Sequence, residues 1–225
     1  MFNKLRPRRA RKTLSPNGEL ALEALSHGWG IVPIHNPVED AEWGAACSCE
    51  EGSDCLSEGQ HPFVGDLDSN ILRTTDEVKR LWEMHPKLYV GIQTGAGHGV
   101  AVQLNYLCEF FVDVVVELEE PLGPMPFTPK ANSTSGSEFH LFKYPDWLPL
   151  EERPTFLLGS DAVVMQDDGY IVLPSADEAD RTLHVPEHWE WEEGLDVPLA
   201  ELPPQLVELI KSAGAVGAMN SGAPR

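Results

Sequence analysis

Apolar residues at the start of the chain repeat at the spacing of a helix and then run together as in a buried strand. The helical spacing is carried by Leu20, Ala21, Ala24 and Leu25. Ser15 is a favourable N-cap, Pro16 suits the first helical turn, and Gly28 is typical of a helix end. The pattern therefore predicts a helix between Ser15 and Gly28, followed by a short strand over residues 30–34.

A second helix is predicted where Thr74 and Glu77 form a capping box, in which each side chain satisfies a free backbone N–H group of the first turn. Its apolar face consists of Val78, Leu81 and Trp82. After this helix the spacing changes to that of strands, over residues 89–94 and 99–105. Because a glycine-rich segment separates these two strands, we expect them to pair as a hairpin.

The second half of the chain continues this mixture of helices and strands. The patterns predict, in order, an amphipathic helix, two strands and a short helix at residues 107–118, 139–144, 182–185 and 204–213. Two further strands, residues 162–166 and 170–173, flank Asp167-Asp168-Gly169, and the Asp-Gly pair predicts a tight hairpin. Helices combined with mostly antiparallel strands indicate an α+β fold.

Charge is distributed unevenly along the sequence. The 225 residues contain 16 basic and 36 acidic side chains, which gives a formal net charge of −20 at pH 7. The basic residues near the N-terminus are Lys4, Arg6, Arg8, Arg9, Arg11 and Lys12. The remaining 213 residues carry a formal charge of −26. Because nucleic-acid affinity depends largely on cations that displace counterions, the acidic body disfavours phosphate backbones, whereas the basic tail suits them.

Hydropathy predicts a cytoplasmic protein without a membrane span. Hydrophobic residues make up 42% of the chain, which is enough for a folded core. No apolar run approaches the length of about 20 residues that a membrane-spanning helix needs. The basic N-terminus is followed by Thr13-Leu14-Ser15-Pro16, not by the apolar segment of a secretory signal.

Three of the four cysteines lie close together and share their segment with a histidine. This group consists of Cys47, Cys49, Cys55 and His61. The segment is rich in Gly, Ser, Pro and acidic residues, so it needs a stabiliser other than a hydrophobic core. Three thiolates and an imidazole form a tetrahedral ligand set for zinc, and four protein ligands leave no position for a substrate. We expect a structural zinc loop at about residues 45–63; the alternative is three ordinary thiols and a surface histidine.

Six short motifs occur in order along residues 19–192. They are Gly28-Trp29-Gly30-Ile31-Val32-Pro33, Cys47-Ser48-Cys49 through Gly59-Gln60-His61-Pro62, Thr74-Thr75-Asp76 with Trp82, Gly91-Ile92-Gln93-Thr94-Gly95, His140-Leu141-Phe142, and Gly169-Tyr170-Ile171-Val172-Leu173-Pro174. This series resembles the bifunctional DNA primase/polymerase N-terminal domain, also called the prim-pol domain. No single motif decides the resemblance, and their common order carries it.

The resemblance implies an RRM-type sheet with helices on its faces, and an N-terminal α/β unit that carries the Cys-rich loop. It also implies DNA primase and polymerase chemistry, in which carboxylates hold two divalent metal ions that bind the triphosphate. The three carboxylate positions of the family fall here on Gln103, Asn105 and Val163. Amides and a valine lack the negative charge that draws Mg²⁺ or Mn²⁺ from its hydration shell. We therefore expect a degenerate catalytic site without Mg²⁺ or Mn²⁺.

One residue of the implied nucleotide site is retained. His140 stands where the histidine of the family contacts the nucleotide phosphates; the alternative is an ordinary strand histidine. Metal binding by the repositioned acids Asp161, Asp167 and Asp168 is a second alternative. The tight turn, for which Asp-Gly is a favourable pair, is the simpler explanation for Asp167 and Asp168.

The sequence as a whole is interpreted as three segments: a disordered basic tail (1–13), a prim-pol-like domain (14–200), and a short helix with a flexible tail (201–225). The predicted function is a stand-alone binding or regulatory module of DNA replication that lacks nucleotidyl transfer. Two alternatives stay open, an active primase/polymerase with repositioned acids and an acidic protein–protein adaptor. The candidate partners are a nucleotide or nucleic acid, bound through the basic tail, and a protein.

Overall fold

The computed structural model describes residues 13–40, 44–64, 71–95, 99–104, 125–134, 138–147, 156–158, 163–166, 169–177, 189–208 and 211. The helices are α1 (Pro16–Ser26) and α2 (Thr75–Met84). The strands are β1 (Ile31–Ile34), β2 (Pro37–Asp40), β3 (Gly44–Cys47), β4 (Tyr89–Thr94), β5 (Val100–Leu104), β6 (Lys130–Ser133), β7 (Glu138–Phe142), β8 (Phe156–Leu158), β9 (Val163–Gln166), β10 (Gly169–Val172) and β11 (Trp189–Glu193). A short helical segment follows at residues 204–208.

The described strands form three sheets. A small sheet has the order β1-β4-β10, a large sheet has the order β11-β6-β7-β5-β9-β8, and β2 pairs with β3 alone. All of these strand pairs are antiparallel. Together with the two helices, they confirm the predicted α+β class. Within the described residues, no helix has the length and apolar character that a bilayer span requires.

Both helices begin as the sequence predicts, because their caps are formed by neighbouring residues. The Ser15 side chain accepts a hydrogen bond from the Gly18 N–H at the start of α1. At the start of α2, Thr74 and Glu77 form both hydrogen bonds of the capping box. The helices pack on each other and on the small sheet, where buried Trp82 donates its indole N–H to the Leu88 carbonyl at 3.1 Å.

The two predicted hairpins are wrong. β4 pairs with β1 and β10, whereas β5 pairs with β7 and β9, so the two strands lie in different sheets. β9 and β10 are separated in the same way, because β9 pairs with β5 and β8 while β10 pairs with β4. In both cases a tight turn was expected where the chain passes from one sheet into the other.

The register shows that these four strands form one antiparallel ribbon. Thr94 pairs with Gly169 in the small sheet, and Ala101 pairs with Gln166 in the large sheet. Between these two pairs, the segment from β4 to β5 advances by seven residues, whereas the segment from β9 to β10 advances by three. Gly95 and Gly99, between these two pairs, also pair with each other. The same two chain segments are thus partners in both sheets.

Glycine is required where the chain passes from β4 to β5, because the backbone lies close to other groups there. Gly95 has a φ of 113°, in the left-handed region that favours glycine. A Cβ atom on Gly99 would overlap the buried ring of Trp29 and lie 2.9 Å from the carbonyl oxygen of Phe142. These glycines allow the backbone to pass close to the core between β4 and β5.

Other sequence predictions differ in their outcomes. The strand runs at residues 30–34, 89–94 and 139–144 are confirmed as β1, β4 and β7, and residues 204–208 and 211 are helical as expected. β2, β3, β6, β8 and β11 were not predicted. The predicted helix at 107–118 and strand at 182–185, the basic residues 4–12 and Cys108 lie outside the described residues.

We expect Gly99→Ala to lower the free energy of unfolding by roughly 1–3 kcal/mol, because the added methyl group must displace the Trp29 ring or the Phe142 backbone. Urea denaturation measures this change. Gly194→Ala is the matched control, because its Cβ would meet only the end of the exposed Asp196 side chain. Equal stability of the two variants would contradict the tight crossing.

Candidate metal centre and the sheet face around His140

The four predicted metal ligands converge in the segment after β3. The ligand atoms of Cys47, Cys49, Cys55 and His61 all lie within 4.8 Å of one another. The Nε2 atom of His61 is 3.3 Å from the Cys47 sulfur and 3.4 Å from the Cys55 sulfur. Cys47 and Cys55 are buried, and the other two ligands are half-buried. The group that the spacing predicts is thus close enough to hold a metal ion.

Hydrogen bonds to β1 fix the far end of this loop. The His35 N–H donates to the His61 carbonyl at 3.1 Å, and the Phe63 N–H donates to the Pro33 carbonyl at 2.8 Å. From the opposite side, the Tyr170 hydroxyl of β10 donates to the Gln60 carbonyl at 2.7 Å. His61 therefore has a backbone position that the small sheet determines.

Ser48, between the first two cysteines, fixes the near end. Its N–H donates to the Asn36 carbonyl at 2.9 Å, and its hydroxyl accepts from the Asn36 N–H at 3.1 Å. The same hydroxyl lies 2.9 Å from Nδ1 of His35, whose ring contacts that of His61 at a tilt of 38°, with centroids 4.7 Å apart. Contacts of this kind orient an imidazole ligand before a metal binds.

The environment of the cluster separates the pKa values of two thiols. Partial burial raises the pKa of Cys49, but hydrogen bonds from the Glu51 backbone and from Cys47, His61 and Cys55 outweigh it and bring the pKa to about 7. Burial, followed by the interactions with Cys49 and Cys47, outweighs the hydrogen bond from the Ser57 backbone and raises the pKa of Cys55 to about 11. A bound cation would stabilise the thiolate form at every position, because metal coordination deprotonates a thiol.

The loop also covers one face of the small sheet. Side chains alternate along a strand, so Ile31 of β1 joins the core beneath the helices while Val32 and Ile34 lie on the other side. Val32 and Ile34 are nevertheless fully buried. Pro62 pairs with Ile34, and Phe63 is hydrogen-bonded to Pro33. The Tyr170 side chain, which β10 places on the face of Val32 and Ile34, donates to the Gln60 carbonyl, so the metal-ligand loop lies against this face.

The large sheet holds the second predicted site residue, His140, at a buried position on β7. Its side chain is 4% exposed, and neither ring nitrogen has a hydrogen-bond partner within the described part of the chain. Nε2 lies 3.3 Å from Oε1 of Glu138, and the ring stacks on Phe142 at an interplanar angle of 15°. A buried imidazole without partners is costly, so its neighbours determine what this position can do.

Charged residues from β6, β7 and β11 surround His140. The Lys130 ammonium lies 2.6 Å from Glu138 and 3.0 Å from Glu192, and Asn132 donates to Glu192 at 2.7 Å. Burial lowers the pKa of Lys130, but its hydrogen bonds to Glu138 and Glu192 outweigh burial and raise the pKa above its ordinary value. Hydrogen bonds from Asn132 and then Lys130 hold the pKa of Glu192 below its usual range. The group is thus ionised and internally paired.

Strand register locates the positions at which carboxylates were expected. Val102 is the β5 residue that pairs with His140. Gln103, the next residue, pairs with Phe139. Val163 pairs with Leu104. The row of paired residues that crosses the sheet at His140 reads Glu193, Lys130, His140, Val102, Met165 and Phe156. The β5 and β9 positions of this row are Val102 and Met165, while Asn105, Asp161, Asp167 and Asp168 lie outside the described residues.

Sequence reasoning identified His140 but missed its partners Lys130, Glu138 and Glu192. Glu192 on β11 is far in sequence from Lys130 on β6 and Glu138 on β7, so no local spacing connects the three residues. The only available signal was Glu138 at the second position before His140, because alternate residues of a strand share a face.

Comparison with protein-family models gives one finding that bears on both sites. Residues 21–205 match the family described as bifunctional DNA primase/polymerase, N-terminal. This range covers most of the chain and confirms the resemblance carried by the six motifs. No curated protein matches the sequence.

We expect Cys55→Ser to loosen the loop over Val32 and Ile34, because one ligand of the cluster is lost. The N–H groups of His35 and Phe63 form hydrogen bonds between the loop and the segment of residues 33–35. Their amide hydrogen exchange should become at least about tenfold faster. Cys108→Ser removes a thiol distant in sequence and serves as the control. Unchanged protection in Cys55→Ser would show that the cluster does not order the loop.

Proposed function

The chain belongs to the bifunctional DNA primase/polymerase N-terminal family, and we propose that this member is a binding or regulatory domain that does not transfer nucleotides. The observation that carries the proposal is the row of residues at His140. Two-metal nucleotidyl transfer needs carboxylates that hold the attacking and leaving oxygens in place through metal ions. Val102 and Met165 occupy the paired positions beside His140 on β5 and β9.

The carboxylates that do lie near His140 support the same conclusion. Glu138 and Glu192 both bind the Lys130 ammonium, so part of their charge is already neutralised. Gln103 and Asn105, on which the resemblance places two of the family's carboxylates, carry no charge, and Gln103 pairs with Phe139, so Val102 is the β5 residue beside His140. We propose that the large sheet corresponds to the RRM-type sheet of the family, with its nucleotidyl-transfer site lost.

Interaction with a nucleotide or nucleic acid follows from family membership, and charge directs where it takes place. Residues 13–225 have a formal charge of −26, which opposes a phosphate backbone over most of the surface. The six basic side chains between Lys4 and Lys12 supply the favourable electrostatics. We propose that this segment makes the phosphate contacts of the protein.

We also propose that the Cys47, Cys49, Cys55 and His61 group holds structural zinc. Three sulfurs and one nitrogen suit Zn²⁺ better than the oxygen-seeking ions Mg²⁺ and Mn²⁺. The backbone contacts of Ser48 and His61 place the ligands before binding. When bound, the ion would cross-link the loop that buries Val32 and Ile34.

A primer-synthesis assay tests the catalytic part of the proposal. With a single-stranded template, nucleoside triphosphates and Mn²⁺, we expect no template-dependent product above the protein-free reaction, because Val102 and Met165 occupy the described positions beside His140 on β5 and β9. An active primase in the same buffer controls for the assay. Template-dependent product that disappears in Asp167→Ala would establish an active enzyme with repositioned acids.

Metal analysis tests the zinc centre independently. Protein purified without chelator should contain about one equivalent of zinc, since one four-ligand group is present in the described residues. Cys55→Ser should lose most of this zinc, whereas Cys108→Ser should retain it. Wild-type protein without zinc, or equal zinc in both variants, would refute the site.

A further inference from the structure

The carboxylates beside His140 converge on a cation that belongs to the chain itself. The Lys130 Nζ lies 2.6 Å from Oε2 of Glu138 and 3.0 Å from Oε2 of Glu192. The Lys130 and Glu138 side chains are only 23% and 15% exposed, so their attraction is less screened than that of a surface pair. The ammonium group has a defined position between two acidic side chains.

His140 contacts the other oxygen of the Glu138 carboxylate. Its Nε2 lies 3.3 Å from Oε1 of Glu138 and has no hydrogen-bond partner in the described part of the chain. Neighbouring ligands of a six-coordinate ion with bonds of about 2.1 Å are about 3 Å apart. The separation of Nε2 and Oε1 is therefore suitable for two ligands of one ion. Two carboxylates and an imidazole form a donor set that Mn²⁺ accepts.

We propose that Glu138, Glu192 and His140 form a cation site that Lys130 fills from within the chain, and that Lys130 thereby excludes divalent metal ions. The inference rests on the proposed function, because it explains how the site stays free of metal despite two carboxylates and a histidine. A metal ion entering the site would have to displace an ammonium held by two ion pairs and would be repelled by its charge.

The alternative role of this group is purely structural. In that case the three ion-paired residues only join β6, β7 and β11, and removing the ammonium would weaken the sheet without creating affinity for metal. The two roles differ in one measurable property, the affinity for a divalent cation after the Lys130 charge is removed.

Titration with Mn²⁺ distinguishes these roles. Paramagnetic broadening of the His140 and Leu141 amide NMR signals would report an ion near the site, and the thiol-rich loop favours softer metals. We expect no selective broadening in the wild type. In Lys130→Ala, Mn²⁺ should bind at least about tenfold more tightly than in the wild type. Adding Glu138→Gln to this variant should abolish the gain.

Matched variants separate this effect from a change in net charge. Lys143→Ala removes the same charge from β7's exposed end, where Lys143 pairs with Glu201 at 2.8 Å, and should not bind Mn²⁺ near His140. Lys130→Arg keeps a cation and should also exclude the metal. If Lys130→Ala does not unfold cooperatively, Lys130→Met, which keeps an apolar stem, replaces it.

Two results would overturn the inference. One is folded Lys130→Ala or Lys130→Met protein without selective broadening, and the other is broadening at His140 in the wild type. Both leave the proposed function standing if primer synthesis is absent. Primer synthesis by the wild type would overturn the proposed function, whatever the Mn²⁺ titration shows.

Discussion

The antiparallel ribbon of β4–β5 and β9–β10 is the interaction on which the rest of the structure depends. β4 is the central strand of the small sheet, and β5 lies between β7 and β9 in the large sheet. A single pair of chain segments therefore fixes the helix-covered core relative to the strand that carries His140. Where the ribbon passes from the small sheet to the large sheet, Gly99 lies close to Trp29 and Phe142. The packing of both sheets therefore depends on this contact.

The small sheet depends on a second, weaker layer. Helices cover the face that carries Ile31 and Ile92, but the opposite face is covered by a loop with few apolar side chains. Such a loop gains little from burial, and its backbone hydrogen bonds to β1 act only while its ends stay in place. A metal ion bound by four of its side chains would supply the missing stabilisation, as in small domains whose metal-binding free energy is folding free energy.

On the large sheet, His140 lies in a row of paired residues with Lys130 and Glu193 on one side and Val102 and Met165 on the other. Glu138 and Glu192 share the single positive charge of Lys130. We propose that this ion-paired group stands where the family holds its catalytic metal ions, and that the domain binds without catalysing.

Sequence reasoning succeeded where the physical cause is local. Ser15, Thr74 and Glu77 cap helices through hydrogen bonds to residues three positions away, and the cysteine spacing brings the metal ligands together within one loop. It failed where pairing is non-local. The Asp-Gly and Gly-rich segments have the composition of hairpin turns, but strand partners are chosen by packing over the whole sheet. Lys130, Glu138 and Glu192 meet for the same reason.

We propose that this member of the family binds a metal ion at one loop but holds no catalytic metal. Anomalous diffraction from crystals grown with Mn²⁺ and a nucleoside triphosphate tests it most directly. We predict a zinc peak bonded to Cys47, Cys49, Cys55 and His61, and no manganese peak beside His140. A manganese peak between His140 and the strands β5 and β9, with the triphosphate bound to it, would contradict the account.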